Sequence, residues 1–276
     1  MNSLTCNLCF HHCTISENQS GRCNARKNIN GKLCCTNYGQ LTSIALDPIE
    51  KKPLYHFHPG AKILSVGSYG CNMSCPFCQN HSISMSKESD FSSLRQISPQ
   101  ELVSIALSNR IHGNIGIAYT YNEALVGYEF VRDCSILAKE NGLYNVLVTN
   151  GMASLDVLEE ILPYIDAMNI DIKGFRQDIY MKLGGDLDTV ISFTEAASKK
   201  CHVELTSLIV PGFNDNPLDM KKEAIWIASL NQNIPLHITR YFPRYQMNTP
   251  ATDISLLLEL KSVAEEYLKY VYLGNC

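Results

Sequence analysis

From residue 62 onward the chain alternates short apolar runs with amphipathic stretches, and this alternation limits its possible folds more than any other feature. Six segments read as strands: 62–67, 115–120, 144–149, 167–172, 202–209 and 236–241. Helical stretches fall near 123–141, 153–163, 176–183, 188–200 and 217–230, with a last one over 253–268. Ser98 stands before Pro99 with Glu101 following, and Asn216 before Pro217 with Asp219 following, both good helix starts. In the last helix Ile254, Leu257, Leu258, Leu260, Ala264 and Leu268 fall on one broad apolar stripe. Short apolar strands interleaved with helices predict a parallel sheet covered by helices. Six strands are too few for a closed eight-stranded barrel. The expected fold class is α/β, a partial (β/α)6 TIM-like barrel, with a doubly wound sheet as the alternative.

Residues 1–60 differ from the rest. They are rich in Cys, Asn, Gly and His, and their apolar pieces are short. The expected division is a Cys-rich metal-binding region with a Pro-rich connector over 1–60, and the barrel over 61–276. A segment so weakly apolar needs a metal to fold. The Ser-rich stretch 82–98 reads as a surface loop.

The chain has twelve cysteines in 276 residues, too sparse for a small secreted disulfide framework, and they are clustered. In a reducing compartment such clusters are metal ligands or catalysts. Cys71, Cys75 and Cys78 form Cys-x3-Cys-x2-Cys directly after the first strand. Three thiolates suit a [4Fe–4S] cluster with one iron left open, whereas zinc usually takes four protein ligands. Cys6, Cys9, Cys13 and Cys23 form a complete set of four, suited to zinc or to a second iron–sulfur cluster. Polar residues mark the predicted strand ends: Thr120 to Glu123, Thr149 and Asn150, Asp171 and Lys173, then His237 and Arg240. In a parallel barrel those ends form the active site.

The Cys71–Cys78 motif, with Phe77 before its third cysteine, resembles the radical S-adenosylmethionine (SAM) enzymes. A second block is more distinctive: Tyr38-Gly39, then Asp47 through Gly60, with Tyr119 to Glu123 and Arg240 to Pro243. Together these are similar to the AmmeMemoRadiSam-system radical SAM proteins, relatives of the pyruvate formate-lyase activating enzyme. The resemblance implies a [4Fe–4S] cluster on Cys71, Cys75 and Cys78, and reductive cleavage of S-adenosylmethionine to a 5′-deoxyadenosyl radical. It implies an external electron donor such as flavodoxin or ferredoxin, and Memo-type and AMMECR-type partners. By the same resemblance Tyr121, Asn122 and Glu123 occupy the place of a SAM-binding Gly-Gly-Glu segment, although both glycines are replaced. Asn150 matches a ribose contact, and Asp171 with Lys173 matches the Asp-x-Lys of glycyl-radical activating enzymes. His237 and Arg240 are further candidates for the cofactor or an anionic substrate. The Pro-rich block is expected to cover the barrel mouth.

Lys plus Arg total 23 against 27 Asp plus Glu, a net charge of −4, with no basic tail, which argues against nucleic acid as a partner. No apolar run reaches the roughly 20 residues of a membrane span, and the first residues lack a signal-peptide pattern, so a cytoplasmic protein is expected. The competing reading is a non-catalytic iron–sulfur or zinc protein that transfers electrons or binds a partner.

Overall fold

The computed structural model describes residues 3–91 and 94–276. Near the start, β1 (Leu4–Thr5) pairs antiparallel with β2 (Thr14–Ile15). β3 (Arg26–Ile29) and β4 (Lys32–Cys35) form a hairpin. Asn30 and Gly31 both have positive φ there, the backbone that a two-residue hairpin turn requires.

The main sheet of the described residues has eight strands. β5 (Ser43–Pro48) runs antiparallel to β6 (Lys62–Gly67). Then β7 (Asn114–Tyr119), β8 (Tyr144–Thr149), β9 (Ala167–Asp171), β10 (His202–Ile209), β11 (Leu236–Arg240) and β12 (Val271–Gly274) follow in parallel, each beside its predecessor. β5 and β12 are the two ends of the sheet, so the barrel is open. The six strands expected from sequence are present, and β5 and β12 extend them. The first sixty residues therefore contribute a strand to the main sheet.

The helices are α1 (His81–Ser84), α2 (Pro99–Ser108), α3 (Tyr128–Glu140), α4 (Leu155–Ile161), α5 (Gln177–Lys182), α6 (Leu187–Ser198), α7 (Pro217–Asn231) and α8 (Ile254–Glu265). Ser98 closes a capping box with Glu101, and Asn216 accepts from the Leu218 amide, as expected at both helix starts. α8 buries Leu257, Leu260 and Ala264, but Ile254 and Leu258 are exposed, so its apolar stripe is narrower than the sequence suggested. α1 and a 3-10 turn over Glu88–Phe91 occupy part of the Ser-rich stretch; Ser92 and Ser93 lie outside the described residues.

Each strand turns alternate residues to the helices and to the lumen. Leu64, Tyr119, Leu147 and Ile170 join the large core under the helices. Ile63, Ala118, Val146 and Ala167 form a second, smaller cluster in the lower half of the barrel, together with Ile49 and Leu54. The Pro-rich block thus fills the barrel from the end opposite the cysteine loop. It does not cover the mouth, because Ile49 and Leu54 pack in the lumen against Ile63, Ala118, Val146 and Ala167.

Candidate active site

A cavity of about 610 Å³ occupies the upper half of the barrel. Cys71, Cys75 and Cys78 line it from the loop after β6. Tyr121, Asn122, Glu123, Asn150, Asp171, Lys173 and His237 line it from the following strands. Lys52, Pro53 and Tyr55 of the barrel plug form its floor.

The cysteine loop is fixed by its backbone. Gly70 has φ of 89°, and a Cβ there would lie 2.5 Å from the Cys23 carbonyl, so only glycine fits. Asn122 Oδ1 accepts from the Ser68 amide at 2.9 Å, and its Nδ2 donates to the Tyr69 and Gly70 carbonyls at 3.2 and 3.0 Å. Asn80 Nδ2 donates to the Tyr121 carbonyl at 2.7 Å. Asn150 Nδ2 donates to Asn72 Oδ1 at 2.9 Å and approaches the Cys71 sulfur at 3.7 Å. Asn122 and Asn150 therefore hold the loop over the strand ends, whatever else they touch.

Burial pushes the Cys71 thiol well up, as does the Glu123 charge, and burial pushes Cys75 up to about 11. The three thiols act on one another electrostatically. Lys173 pairs with Asp171 at 2.8 Å. Burial disfavours its charge, but Asp171, Cys75 and Cys78 outweigh this and hold the ammonium protonated. A cation beside soft thiols facing one space is a donor set suited to an iron–sulfur cluster. Among the described residues no three His, Cys, Asp or Glu side chains form a cage for a single metal ion. A polynuclear cluster has no need of one, since each thiolate takes its own iron.

Glu123 is fully buried and its oxygens are occupied. Oε1 accepts from Thr149 Oγ1 at 2.8 Å and the Leu125 amide at 3.1 Å, and Oε2 accepts from the Asn150 amide at 2.8 Å. Burial raises its pKa against those donors. It braces the ends of β7 and β8. Tyr121, at φ of 73°, sends its ring down over Gly67 and donates from its hydroxyl to Asp47 at 2.8 Å. The Lys52 ammonium lies 4.7 Å above that ring and 2.9 Å from Asp47. Burial works against the Asp47 charge, but Lys52 and Tyr121 still hold its carboxyl well below the usual range. Arg240 stands outside the cavity lining: it donates to the Thr252 carbonyl at 2.8 Å and stacks on Phe242.

The sequence reading passed over Glu204. This carboxylate lies in the lumen and accepts four hydrogen bonds. They come from the Tyr55 and His56 amides at 3.0 and 2.7 Å, and from His202 and His237 at 2.9 and 2.7 Å. Those donors outweigh its burial and hold its pKa down at about 2. Its signal was a charge between Val203 and Leu205 in an apolar strand, where only a lumen with partners tolerates one.

The N-terminal cysteines lie behind the loop. Cys6, Cys9 and Cys23 are buried and Cys13 is half-buried. His11 Nε2 is 2.8 Å from the Asn72 carbonyl, and Arg22 donates to Ser74 at 3.1 Å.

Comparison with known proteins agrees with this geometry. The chain is 42% identical over 279 residues to an uncharacterized protein of Methanocaldococcus jannaschii, covering 99% of this chain and 82% of that one. It is 26% identical over 165 residues to the pyruvate formate-lyase 1-activating enzyme of Escherichia coli, covering 57% of this chain and 65% of the enzyme. Its fold is similar to that of QueE from Escherichia coli, with a TM-score of 0.54 at 13% identity over 84% of this chain and 92% of QueE. The model of the Radical SAM superfamily matches residues 65–224, a stretch that contains the cysteine loop and the ends of β6 through β10. With its three-cysteine loop over an open parallel barrel, the chain belongs to the Radical SAM superfamily, whose members bind a [4Fe–4S] cluster and S-adenosylmethionine.

Proposed function

We propose that the chain is an enzyme that cleaves S-adenosylmethionine reductively and uses the 5′-deoxyadenosyl radical to take hydrogen from a small-molecule or peptide substrate. The observation that supports this most is the convergence of Cys71, Cys75 and Cys78 with the strand-end polar residues on one cavity. Its volume of about 610 Å³ is in the range of small-molecule and cofactor sites. A [4Fe–4S] cluster bound by the three cysteines would supply an open iron for SAM and the electron for its cleavage.

The chain's own residues would do the rest. Lys173, charged beside Cys75 and Cys78, offsets thiolate charge. Asn122, Asn150 and Glu123 set the loop and the strand ends. Asp171, Thr206, His237 and Thr239 face the remaining space, where a substrate would lie. The floor of Lys52 and Tyr55 keeps water from entering from below. A flavodoxin- or ferredoxin-type protein is the proposed electron donor, and the cytoplasm the proposed location. The block over 47–60 supports a place in the AmmeMemoRadiSam system, with Memo-type and AMMECR-type proteins as partners.

The similarity to a pyruvate formate-lyase activating enzyme supports a second reading, in which the substrate is a glycine of a partner enzyme. An activase consumes about one SAM per partner molecule, and a turnover enzyme many.

The test is anaerobic reconstitution with iron and sulfide, addition of SAM and a strong reductant, and mass spectrometry of the fragments. 5′-Deoxyadenosine is expected from the intact protein and not from the Cys71→Ala/Cys75→Ala/Cys78→Ala variant. Iron-loaded protein that leaves SAM whole would overturn the proposal and return the chain to electron transfer or partner binding.

A further inference from the structure

Resting on the reading of the cavity as the reaction chamber proposed above, we infer that His237 anchors the substrate. Its Nδ1 accepts a hydrogen bond from a substrate hydroxyl, and the substrate is a small polyhydroxy compound rather than an amine.

The imidazole is held on every side but one. Its Nε2 lies 2.7 Å from Glu204 Oε2. Glu204 is ionised, because four donors surround it, so it can only accept. The proton of a neutral His237 therefore sits on Nε2, and Nδ1 carries a lone pair. The Tyr55 ring meets the imidazole edge-on at 4.6 Å, and the Tyr272 ring stacks on it at 5.5 Å. Tyr272 is itself tied to His56 Nε2 at 2.7 Å. Two rings and a carboxylate thus fix the plane and the tautomer.

Nδ1 is the side left over. His237 is 2% exposed, and among the described residues nothing hydrogen-bonds to Nδ1. Yet this atom is not sealed off without a partner, and the residue lines the cavity. A buried acceptor left open in this way calls for a donor from whatever fills the space.

The neighbouring wall has the same polarity. Thr206 pairs with His237 across β10 and β11, on strands about 4.8 Å apart. Thr206 Oγ1 gives its proton to Asn169 Oδ1 at 3.0 Å, so it offers only lone pairs to the cavity it lines. Two acceptors side by side suit two hydroxyls of one small molecule. An ammonium fits worse. Glu123 already accepts three hydrogen bonds, Asp171 is paired with Lys173, and Lys52 adds a second buried cation to the lining. A neutral donor escapes that positive charge.

The first test is nitrogen NMR of the reconstituted, unreduced protein labelled at histidine, with His237→Asn for assignment. A bare Nδ1 beside a protonated Nε2 is expected, and Glu204→Gln should mix the two tautomers. A proton on Nδ1 in the intact protein overturns the inference. The second test supplies SAM, a strong reductant and one of three probes deuterated at carbon: glycerol, glycerol trimethyl ether or ethylenediamine. Mass spectrometry reads deuterium in the 5′-deoxyadenosine. Glycerol should label it at least about tenfold more than either other probe, the worth of one hydrogen bond to a charge-backed acceptor. His237→Leu should lose that preference. His237→Asn, whose amide oxygen falls near the place of Nδ1, should recover part of it. Equal labelling from the three probes, or a preference for glycerol that survives in folded His237→Leu, overturns the inference. If His237→Leu does not fold, the three probes on the intact protein decide. 5′-Deoxyadenosine without deuterium from glycerol overturns the inference and leaves the proposed function standing. Cluster-loaded protein that makes no 5′-deoxyadenosine overturns the proposed function, and the substrate class with it.

Discussion

Glu204 joins four donors from three segments of the chain, so its charge is structural. A buried group partnered in this way costs about 3 kcal/mol or more when the pairing is broken. Glu204→Leu should lower stability by about that much in urea unfolding, and a loss under about 0.5 kcal/mol would contradict the role. The pH behaviour follows from the depressed pKa. Its contribution is whole above the ordinary value of 4.5 and is lost as pH falls toward about 2. Glu223 behaves in the opposite sense. Buried in α7 against the Ser207 hydroxyl, it is pushed up to about 7, chiefly by burial. Its protonated form is the one the fold prefers, so stability falls as pH rises from 4.5 to about 7. Glu223→Gln should therefore be more stable than the parent at about pH 8 and equal to it near about pH 4. Melting temperatures that differ by the same amount at both pH values would count against the assignment.

At the scale of elements, the cysteine loop depends on Asn122, which satisfies one amide and two carbonyls of residues 68–70. Asn122→Ala should cost about 1–3 kcal/mol by stranding those groups. It should also lower iron uptake in protein whose circular dichroism is unchanged; full loading would show that the loop holds itself. The barrel plug depends on Leu54, fully buried in the lumen. Leu54→Ala should cost about 2–5 kcal/mol. Six strands were legible because each gathers several apolar residues within five to eight positions. β5 was not, since most of it is half-exposed or exposed and it ends in proline, and β12 is only four residues long. The cysteine loop was legible from spacing alone. The second duty of Asn122, Asn150 and Glu123 as braces was not, because sequence gives no sign of which backbone groups a side chain will meet.

At the scale of the molecule, the cavity joins the barrel, the loop and the plug, so a ligand there should stabilise all three. With the cluster in place, SAM at about 100 times its Kd should add about 2.7 kcal/mol to the stability of the fold. The triple cysteine variant should show no such shift. No helix of the described residues is long and apolar enough to cross a membrane.

The plug also determines when the site can exist during folding. The Tyr55 amide meets Glu204 across 149 residues of chain, and His56 meets Tyr272 across 216. Contacts this distant in sequence close slowly, because the intervening loop must lose its freedom first. On a ribosome the plug emerges long before β10 and β12, and waits for Glu204 and Tyr272. The barrel must therefore wrap around a segment made early, and the floor of the cavity forms only when the last strands arrive. Pulsed hydrogen exchange should find the Tyr55 and His56 amides protected later than those of the β6–β7 pair; simultaneous protection would mean that the barrel closes in one step.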